Sequence, residues 1–386
     1  MQPFNSLSFR VLAIAALLLT VTLGGSNLAA QDQPSAIRAQ AESTWHFAVS
    51  GDSRNCGDVV MPTIADDVRK QNVAFYWHLG DFRWMSAIDE DMQCGPSHLD
   101  GLAGHIRYGL SAWRDFRENQ IASFGPTPVF LGIGNHEMIF HSDREDYLHD
   151  FAEWLDSSVL RAQRLKDDPE DRGLHTYYHW IDRGMDFISL DNASKDEFSE
   201  AQVKWFRGVV ARDLSDTSVK TLVIGMHKAL PNSISASHSM NESERGTESG
   251  ESVYHTLLDA QNKGGKHIYV LSSHSHYYAD NIFDTDYWRS HGGVLPGWIV
   301  GTAGAHRYQL PPSVQSGPDA QTNVYGYLLA TAHQGGTTGG TVEFKFVELH
   351  PEQVPDTVQK RFDPGFVAWC FANNRDPDYK PPTCQK

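Results

Sequence analysis

Residues 128–137 read PVFLGIGNHE, a short apolar run followed by the tetrad Gly134-Asn135-His136-Glu137. The apolar run over 128–133 predicts a buried strand, and the polar residues 141–144 predict that a loop follows. The tetrad therefore lies where a strand ends. In open α/β sheets, ligands bind outside this carboxyl end of the strands.

Four further apolar runs end in the same way, over residues 45–51, 73–80, 222–226 and 268–271. In chain order they are followed by Asp52, Asp81, His227 and the pair His274 and His276. A single Asp after a strand is usually a helix cap or a turn former, and a single His is more often a core residue. Five such endings in one chain are an improbable accident. Oxygen donors combined with imidazole suit divalent first-row metals.

The order of these motifs resembles that of the calcineurin-like metallophosphoesterases, which include purple acid phosphatases, nucleotidases and many phosphodiesterases. The resemblance covers about residues 44–305, and the tetrad at 134–137 is its most specific part. It implies a four-layer α/β/β/α sandwich of two mixed sheets. The alternation of strand and helix patterns, with strands alone late in the chain, predicts the same fold class.

By residue-by-residue comparison, the resemblance implies two divalent or Fe-type metal ions (Mn, Zn or Fe). It assigns Asp52, Asp81 and His276 to the first metal. It assigns Asp81, Asn135, His227 and His274 to the second metal, so that Asp81 bridges the two. His136 is then a catalytic residue that is not a ligand, and it stabilises charge or protonates the leaving oxygen.

Two residues around these ligands complete the predicted site. Glu137 is predicted to support the ligands from outside, by holding an imidazole or the loop backbone. His274 and His276 are expected on one face of a strand that continues through Ser275, because residues two apart in a strand face the same side.

The sequence departs from the family pattern at two positions. Arg54 stands where many relatives carry a His after the first Asp, and Trp84 stands where purple acid phosphatases supply a Tyr. Neither side chain is a metal ligand, so the first metal keeps three protein ligands and the second keeps four. Arg54 is a candidate for binding a substrate phosphate bidentately, and a salt bridge to a nearby acid is the alternative.

The two ends of the chain predict an exported protein. Residues 1–30 have the pattern of a signal peptide, and residues 31–43 are expected to be a disordered linker. The metallophosphoesterase domain is then 44–350, with residues 351–386 as a C-terminal tail packed on it. After cleavage the protein is expected in the periplasm or secreted, with no membrane attachment.

The net charge limits the partners that the sequence predicts, and the cysteines indicate the cellular compartment. A net charge of −16 without a basic stripe argues against binding to a nucleic-acid backbone. Four cysteines in an exported chain predict disulfides, and four allow three pairings. The expected pairs are Cys56–Cys94 and Cys370–Cys384.

The sequence thus predicts an exported, dinuclear-metal-dependent phosphoesterase. It would hydrolyse phosphate monoesters by attack of a metal-bound hydroxide. The alternatives are a phosphodiesterase or nucleotidase of the same fold, or a non-catalytic relative that binds a phosphorylated ligand. The partner is a small phosphorylated substrate chosen by loops such as 85–106 and 230–252. The leaving group, the native metals and the oligomeric state stay open.

Overall fold

The computed structural model describes residues 43–96, 98–139, 142–194, 197–337 and 339–372. The predicted signal peptide, nearly all of the predicted linker and Cys384 lie outside the described residues. Within the described part of the chain, no helix is long and apolar enough to cross a membrane.

The strands form two mixed sheets. The first sheet has the order β12-β11-β1-β2-β3, and the second has the order β10-β8-β9-β7-β6-β5-β4. The strands are β1 Ser43–Ser50, β2 Tyr76–His78, β3 Val129–Leu131, β4 Tyr178–Asp182, β5 Met185–Ser189, β6 Thr221–Gly225, β7 His267–Ser272, β8 Tyr278–Asp280, β9 Gly297–Val300, β10 Ala320–Gln321, β11 Tyr325–Gln334 and β12 Val342–Leu349. In the first sheet β1, β2 and β3 are parallel, and in the second sheet β5, β6, β7 and β9 are parallel.

Helices follow many of the strands. They are α1 Gly57–Lys70, α2 Glu90–Cys94, α3 Gly101–Asp115, α4 Arg144–Asp150, α5 Ala152–Leu155, α6 Ser158–Asp167, α7 Glu200–Ser215, α8 Glu244–Asn262, α9 Asp286–Ser290, α10 Asp356–Arg361 and α11 Pro364–Ala372. The predictions of loops over 85–106 and 230–252 are wrong in part, because α2 and the start of α3 lie within the first range and α8 begins at Glu244 in the second. Ser243 caps it by accepting a hydrogen bond from the backbone of Gly246.

Alternate side chains along each strand face different cores, which builds four layers. On β1, Phe47 lies in the core between the two sheets, whereas Ala48 faces the core that includes α1. On β6, Val223 lies in the core between the sheets, whereas Leu222 faces the core that includes α7 and α8. This two-residue period places a helical layer outside each sheet, and it confirms the predicted fold class.

The first and second sheets meet at the carboxyl ends of their parallel strands. Just after β1, the backbone N–H of Gly51 donates to the carbonyl of Val300 at the end of β9, over 3.0 Å. The N–H of Asp52 donates to the carbonyl of Gly80 after β2, also over 3.0 Å. These bonds bring the loops of both sheets together at one edge of the sandwich.

The disulfide found in the structure joins Cys56 to Cys370, with their Cα atoms 6.0 Å apart. Because Cys56 is bonded to Cys370, both predicted pairings, Cys56–Cys94 and Cys370–Cys384, are wrong. Cys94 is also disulfide-bonded. Cys56 precedes α1 and faces the core that α11 covers, and both sulfur-bearing residues belong to this core. The two cysteines are 314 residues apart, and they meet because α11 packs near the start of α1. Spacing in the sequence does not reveal this contact.

Candidate metal centre

The loops after five strands bring the predicted ligands together at the edge where the sheets meet. Asp52, Asp81 and Asn135 follow β1, β2 and β3 of the first sheet. His227 follows β6 of the second sheet, and His274 and His276 follow β7. Three of these residues adopt left-handed backbone conformations, with φ of 61° at Asp52, 60° at Asp81 and 65° at His274. Such conformations are uncommon outside glycine and concentrate at functional sites.

One set of four atoms has the composition of a metal site, and we call it the His227 group. Nε2 of His227 lies 3.0 Å from Oδ1 of Asn135, 3.0 Å from Nδ1 of His274 and 3.3 Å from Oδ1 of Asp81. Two imidazole nitrogens, an amide oxygen and a carboxylate oxygen are a ligand set for a divalent first-row metal. This set is the one that the sequence assigned to the second metal.

A second set, which we call the Asp52 group, contains Asp52, Asp81 and His276. These three residues offer ligand atoms within 4.8 Å of one another, and Nε2 of His276 lies 3.2 Å from Oδ1 of Asp52. Oδ1 of Asp52 and Oδ2 of Asp81 are buried, and neither accepts a hydrogen bond from any described residue. Buried carboxylate oxygens need a compensating cation or donor, so this group also fits a metal.

Backbone carbonyls fix the orientation of two of the imidazoles. Nδ1 of His227 lies 3.0 Å from the carbonyl oxygen of Leu79, and Nδ1 of His276 lies 2.7 Å from that of His306. A carbonyl oxygen only accepts hydrogen bonds, so each Nδ1 carries a hydrogen and donates it. Nε2 is then the nitrogen that each ring presents to the site, as in metal-binding histidines supported from outside.

Glu137 ties the loops after β2 and β3 together. Its Oε2 accepts hydrogen bonds from the backbone N–H groups of Asp81 and Gly134, and its Oε1 accepts one from Phe82, each over 2.8 Å. The loops also need the glycine itself, because a Cβ at position 134 would lie 2.3 Å from Oδ1 of Asp81. The tetrad therefore positions the carboxylate that belongs to both groups.

His136 and Arg54 contact each other beside the Asp52 group. Nη1 of Arg54 lies 2.6 Å from Nε2 of His136, and Nη2 lies 3.0 Å from Nε2 of His276. Nδ1 of His136 donates to the carbonyl of Trp84, and its Nε2 is 3.8 Å from Oδ2 of Asp81. Arg54 therefore donates to two imidazoles of the site at once, a role that neither alternative from the sequence included.

The buried charges shift several pKa values. Burial raises the pKa of Asp52 to about 7, against the opposing effect of His227. Burial lowers the pKa of His227, but Asp81 and Asp52 outweigh it and raise that pKa to about 9. Burial acts to raise the pKa of Asp81, yet His227 and His136 hold it well below its ordinary value. The carboxylates thus favour positive charge at the position where a divalent metal would supply it.

The pKa of His136 is lowered, whereas that of His227 is raised. Burial, reinforced by Arg54 and opposed by Asp81, lowers the pKa of His136 to about 4. The neutral ring carries its hydrogen on Nδ1, so Nε2 accepts the hydrogen bond from Arg54.

The strand geometry expected for the His274 and His276 pair is wrong. Strand β7 ends at Ser272, and His274 adopts the left-handed conformation. The N–H of His274 donates to Oδ2 of Asp52 over 2.7 Å. A turn therefore carries one imidazole into each group, and the carboxylate of Asp52 holds that turn in place.

Sequence reasoning missed two neighbours of the site. The ring of Tyr308 stacks on that of His276 with centroids 4.0 Å apart, and Lys228 pairs with Glu242 over 2.8 Å directly after His227. Tyr308 lies outside every motif, so no spacing signal marked it. Lys228 was adjacent to a predicted ligand and could have been considered for that reason.

No protein-family model matches the sequence, and no curated protein matches it. Solved structures with a similar fold include PhoD, with a TM-score of 0.46 and 14% identity, covering 78% of this chain and 68% of that one. A dimetal phosphatase from Danio rerio has a TM-score of 0.45 and 12% identity, covering 79% and 99%. A putative 5'-nucleotidase from Staphylococcus aureus has a TM-score of 0.40 and 13% identity, covering 85% and 58%.

Each TM-score is below 0.5 and each identity is below 15%, so the function of this chain has to be argued from its own residues.

Proposed function

We propose that this protein is a metal-dependent phosphoesterase that hydrolyses phosphate monoesters. The position of Asp81 is the observation that carries the proposal, because its carboxylate belongs to both ligand groups. Oδ1 lies 3.3 Å from Nε2 of His227, and Oδ2 remains for the Asp52 group. A carboxylate shared by both groups would be able to contribute to two metal sites at once, as two-metal phosphoester hydrolysis requires.

The proposed ligands are those of the His227 group and the Asp52 group, and the metals would be Mn, Zn or Fe. When bound, such metals neutralise the charge of the phosphate and make a water molecule more acidic. The chain itself holds the ligands in place through Glu137 and the carbonyls of Leu79 and His306. Little ligand reorganisation is then needed at the moment of reaction.

His136 and Arg54 are the proposed contacts to the substrate. A phosphate oxygen offers the guanidinium of Arg54 a charged acceptor, and guanidinium binds phosphate bidentately. Once Arg54 donates to phosphate, the lone pair on Nε2 of His136 is free to take up a proton from solvent, which His136 can then pass to the leaving oxygen. Monoesters are proposed because the motifs most resemble those of the acid-phosphatase branch.

The proposal includes export to the periplasm or secretion, which the disulfide between Cys56 and Cys370 supports. The proposed partner is a small phosphorylated substrate. A nucleic-acid backbone is not a proposed partner, since the net charge is −16.

A substrate screen tests the proposal. Purified full-length protein is incubated with Mn²⁺, Zn²⁺ or Fe²⁺ and with 4-nitrophenyl phosphate, bis(4-nitrophenyl) phosphate or nucleoside monophosphates. Faster turnover of 4-nitrophenyl phosphate than of the diester supports the monoesterase. Preferred turnover of the diester or of nucleotides identifies the phosphodiesterase or nucleotidase instead. Phosphate binding without turnover of any ester identifies the non-catalytic relative.

A further inference from the structure

Arg54 is a buried cation that contacts His276, one predicted ligand of the first metal, and His136, the predicted catalytic residue. Its side chain belongs to a residue only 4% exposed, and its two terminal nitrogens donate to Nε2 of His136 and Nε2 of His276. Because the guanidinium is planar and always charged, both bonds form in one fixed geometry.

Only one ring nitrogen of His276 has a lone pair that can bind a metal or accept a hydrogen bond. Its Nδ1 donates to the carbonyl of His306 over 2.7 Å, so only Nε2 can accept a hydrogen bond or bind a metal. That lone pair faces Nη2 of Arg54 at 3.0 Å. A metal in the Asp52 group needs the same lone pair, so the metal and Arg54 cannot both have it.

The His227 group has no such competitor among the contacts described. Nε2 of His227 faces an amide oxygen, a carboxylate oxygen and another imidazole nitrogen. The nearby cation of Lys228 pairs with Glu242. Like charges at short range repel strongly inside a protein. The guanidinium of Arg54 would therefore repel a metal cation in the Asp52 group.

We propose that Arg54 competes with the metal of the Asp52 group for His276, so that the two groups fill in a fixed order. The His227 group binds its metal tightly and first. The Asp52 group binds its metal only when the guanidinium leaves His276. This inference rests on the proposed function to the extent that both groups are taken to bind metal.

The same movement of Arg54 affects the catalytic histidine. A guanidinium that leaves His276 also leaves Nε2 of His136, because one planar group holds both rings. A substrate phosphate is a stronger, charged acceptor for it than a neutral imidazole. Filling of the second metal position and release of His136 are therefore linked events.

Metal titration measures the competition directly. The full-length protein is stripped with a chelator, dialysed and titrated with Mn²⁺ in a calorimeter. The wild type is expected to show one tight site and one site weaker by at least about 10-fold. Arg54→Met should tighten the weaker site by about 10- to 100-fold, the range for a lost hydrogen bond to a charged group. His276→Ala should remove the weaker site.

Two comparisons make the result specific. Unchanged affinity of the tight site in Arg54→Met shows that the variant is folded. Arg144→Met removes another guanidinium, one that pairs with Asp191 over 2.7 Å, and it should leave both affinities as in the wild type. Equal affinities in the wild type, or no change in Arg54→Met, would overturn the inference. Absence of ester hydrolysis would overturn the proposed function alone, since the titration does not depend on turnover.

Discussion

Nη1 of Arg54 donates a hydrogen bond over 2.6 Å to Nε2 of His136, whose opposite nitrogen donates to the carbonyl of Trp84. Both nitrogens of this imidazole are therefore bound to protein groups, and none of those groups belongs to the two ligand sets. His136 belongs to neither ligand group, and its Nε2 is 3.8 Å from Oδ2 of Asp81, so we expect it to act on the substrate once Arg54 moves.

His136→Ala should keep the bound metal and lower kcat by about 10²- to 10⁴-fold, the range for a group that assists proton transfer. Elemental analysis counts the metal, and hydrolysis of 4-nitrophenyl phosphate gives kcat. His149→Ala is the matched control, because the side chain of His149 is 87% exposed on α4. Loss of metal from His136→Ala would show that His136 is a ligand.

The disulfide between Cys56 and Cys370 should appear in non-reducing peptide mapping. Replacing both residues by Ser should lower the free energy of unfolding by about 2–5 kcal/mol, the cost of removing a native disulfide. The link joins residues 314 apart and anchors α11 to the start of α1. A peptide that links Cys56 to Cys94 would contradict the structure.

A buried ionic cluster on the second sheet, away from the metal centre, predicts the pH dependence of stability. Nδ1 of His179 lies 2.7 Å from Asp186, and its Nε2 contacts Asp167, which also pairs with Arg212. Burial lowers the pKa of His179, but the hydrogen bonds to the two carboxylates outweigh it and raise the pKa to about 9. Burial and Asp186 likewise raise the pKa of the neighbouring Asp213 to about 8.

A pKa raised by folding means that the folded state holds its proton more tightly than the unfolded chain does. The stabilisation from His179 is therefore complete below about pH 6.5, its unfolded pKa, and is lost as the pH rises through about 9. Asp213 changes in the same direction. We expect the free energy of unfolding, measured by urea denaturation, to fall by on the order of 2–3 kcal/mol between the unfolded and the folded pKa of His179. His179→Gln should flatten the fall, and an equally steep fall in that variant would exclude His179 as its cause.

The protein loaded with ferric iron should be colourless. The resemblance implies that the colour of purple acid phosphatases comes from a Tyr bound to ferric iron, and Trp84 stands at that position. An indole offers no comparable lone pair. Visible absorption spectra after loading test this expectation. A charge-transfer band would point to Tyr308, whose ring stacks on His276, and Tyr308→Phe would then remove the band.

The ligand-bearing loops could be predicted because they depend on local patterns. An apolar run predicts a buried strand, and the polar residue after it marks the carboxyl end where parallel strands meet. The two-sheet architecture followed from the same pattern. Asp52, Asp81 and Asn135 needed no knowledge of packing to be singled out.

The other features depend on contacts between distant parts of the chain. The Ser, Gly and Glu residues of α8 are typical of a loop. In the structure Gly250 lets this helix pack closely on Pro231, because a Cβ at position 250 would lie only 2.4 Å from Cδ of Pro231. Tertiary packing thus overrides local propensity. The Cys56–Cys370 pairing and the bonds from Arg54 to two imidazoles depend on the folded chain in the same way.

Hydrolysis of 4-nitrophenyl phosphate by chelator-stripped protein, before and after metal is restored, is the most direct test of metal-dependent phosphoester hydrolysis at this site. Wild type should be inactive when stripped and active with Mn²⁺, Zn²⁺ or Fe²⁺. Asp81→Asn should lower kcat by at least about 10²-fold, because it removes the charge shared by both ligand groups. Asp286→Asn, a change at a fully exposed carboxylate on α9, should match the wild type. Activity that survives stripping, or an Asp81→Asn variant as active as the wild type, would contradict the account.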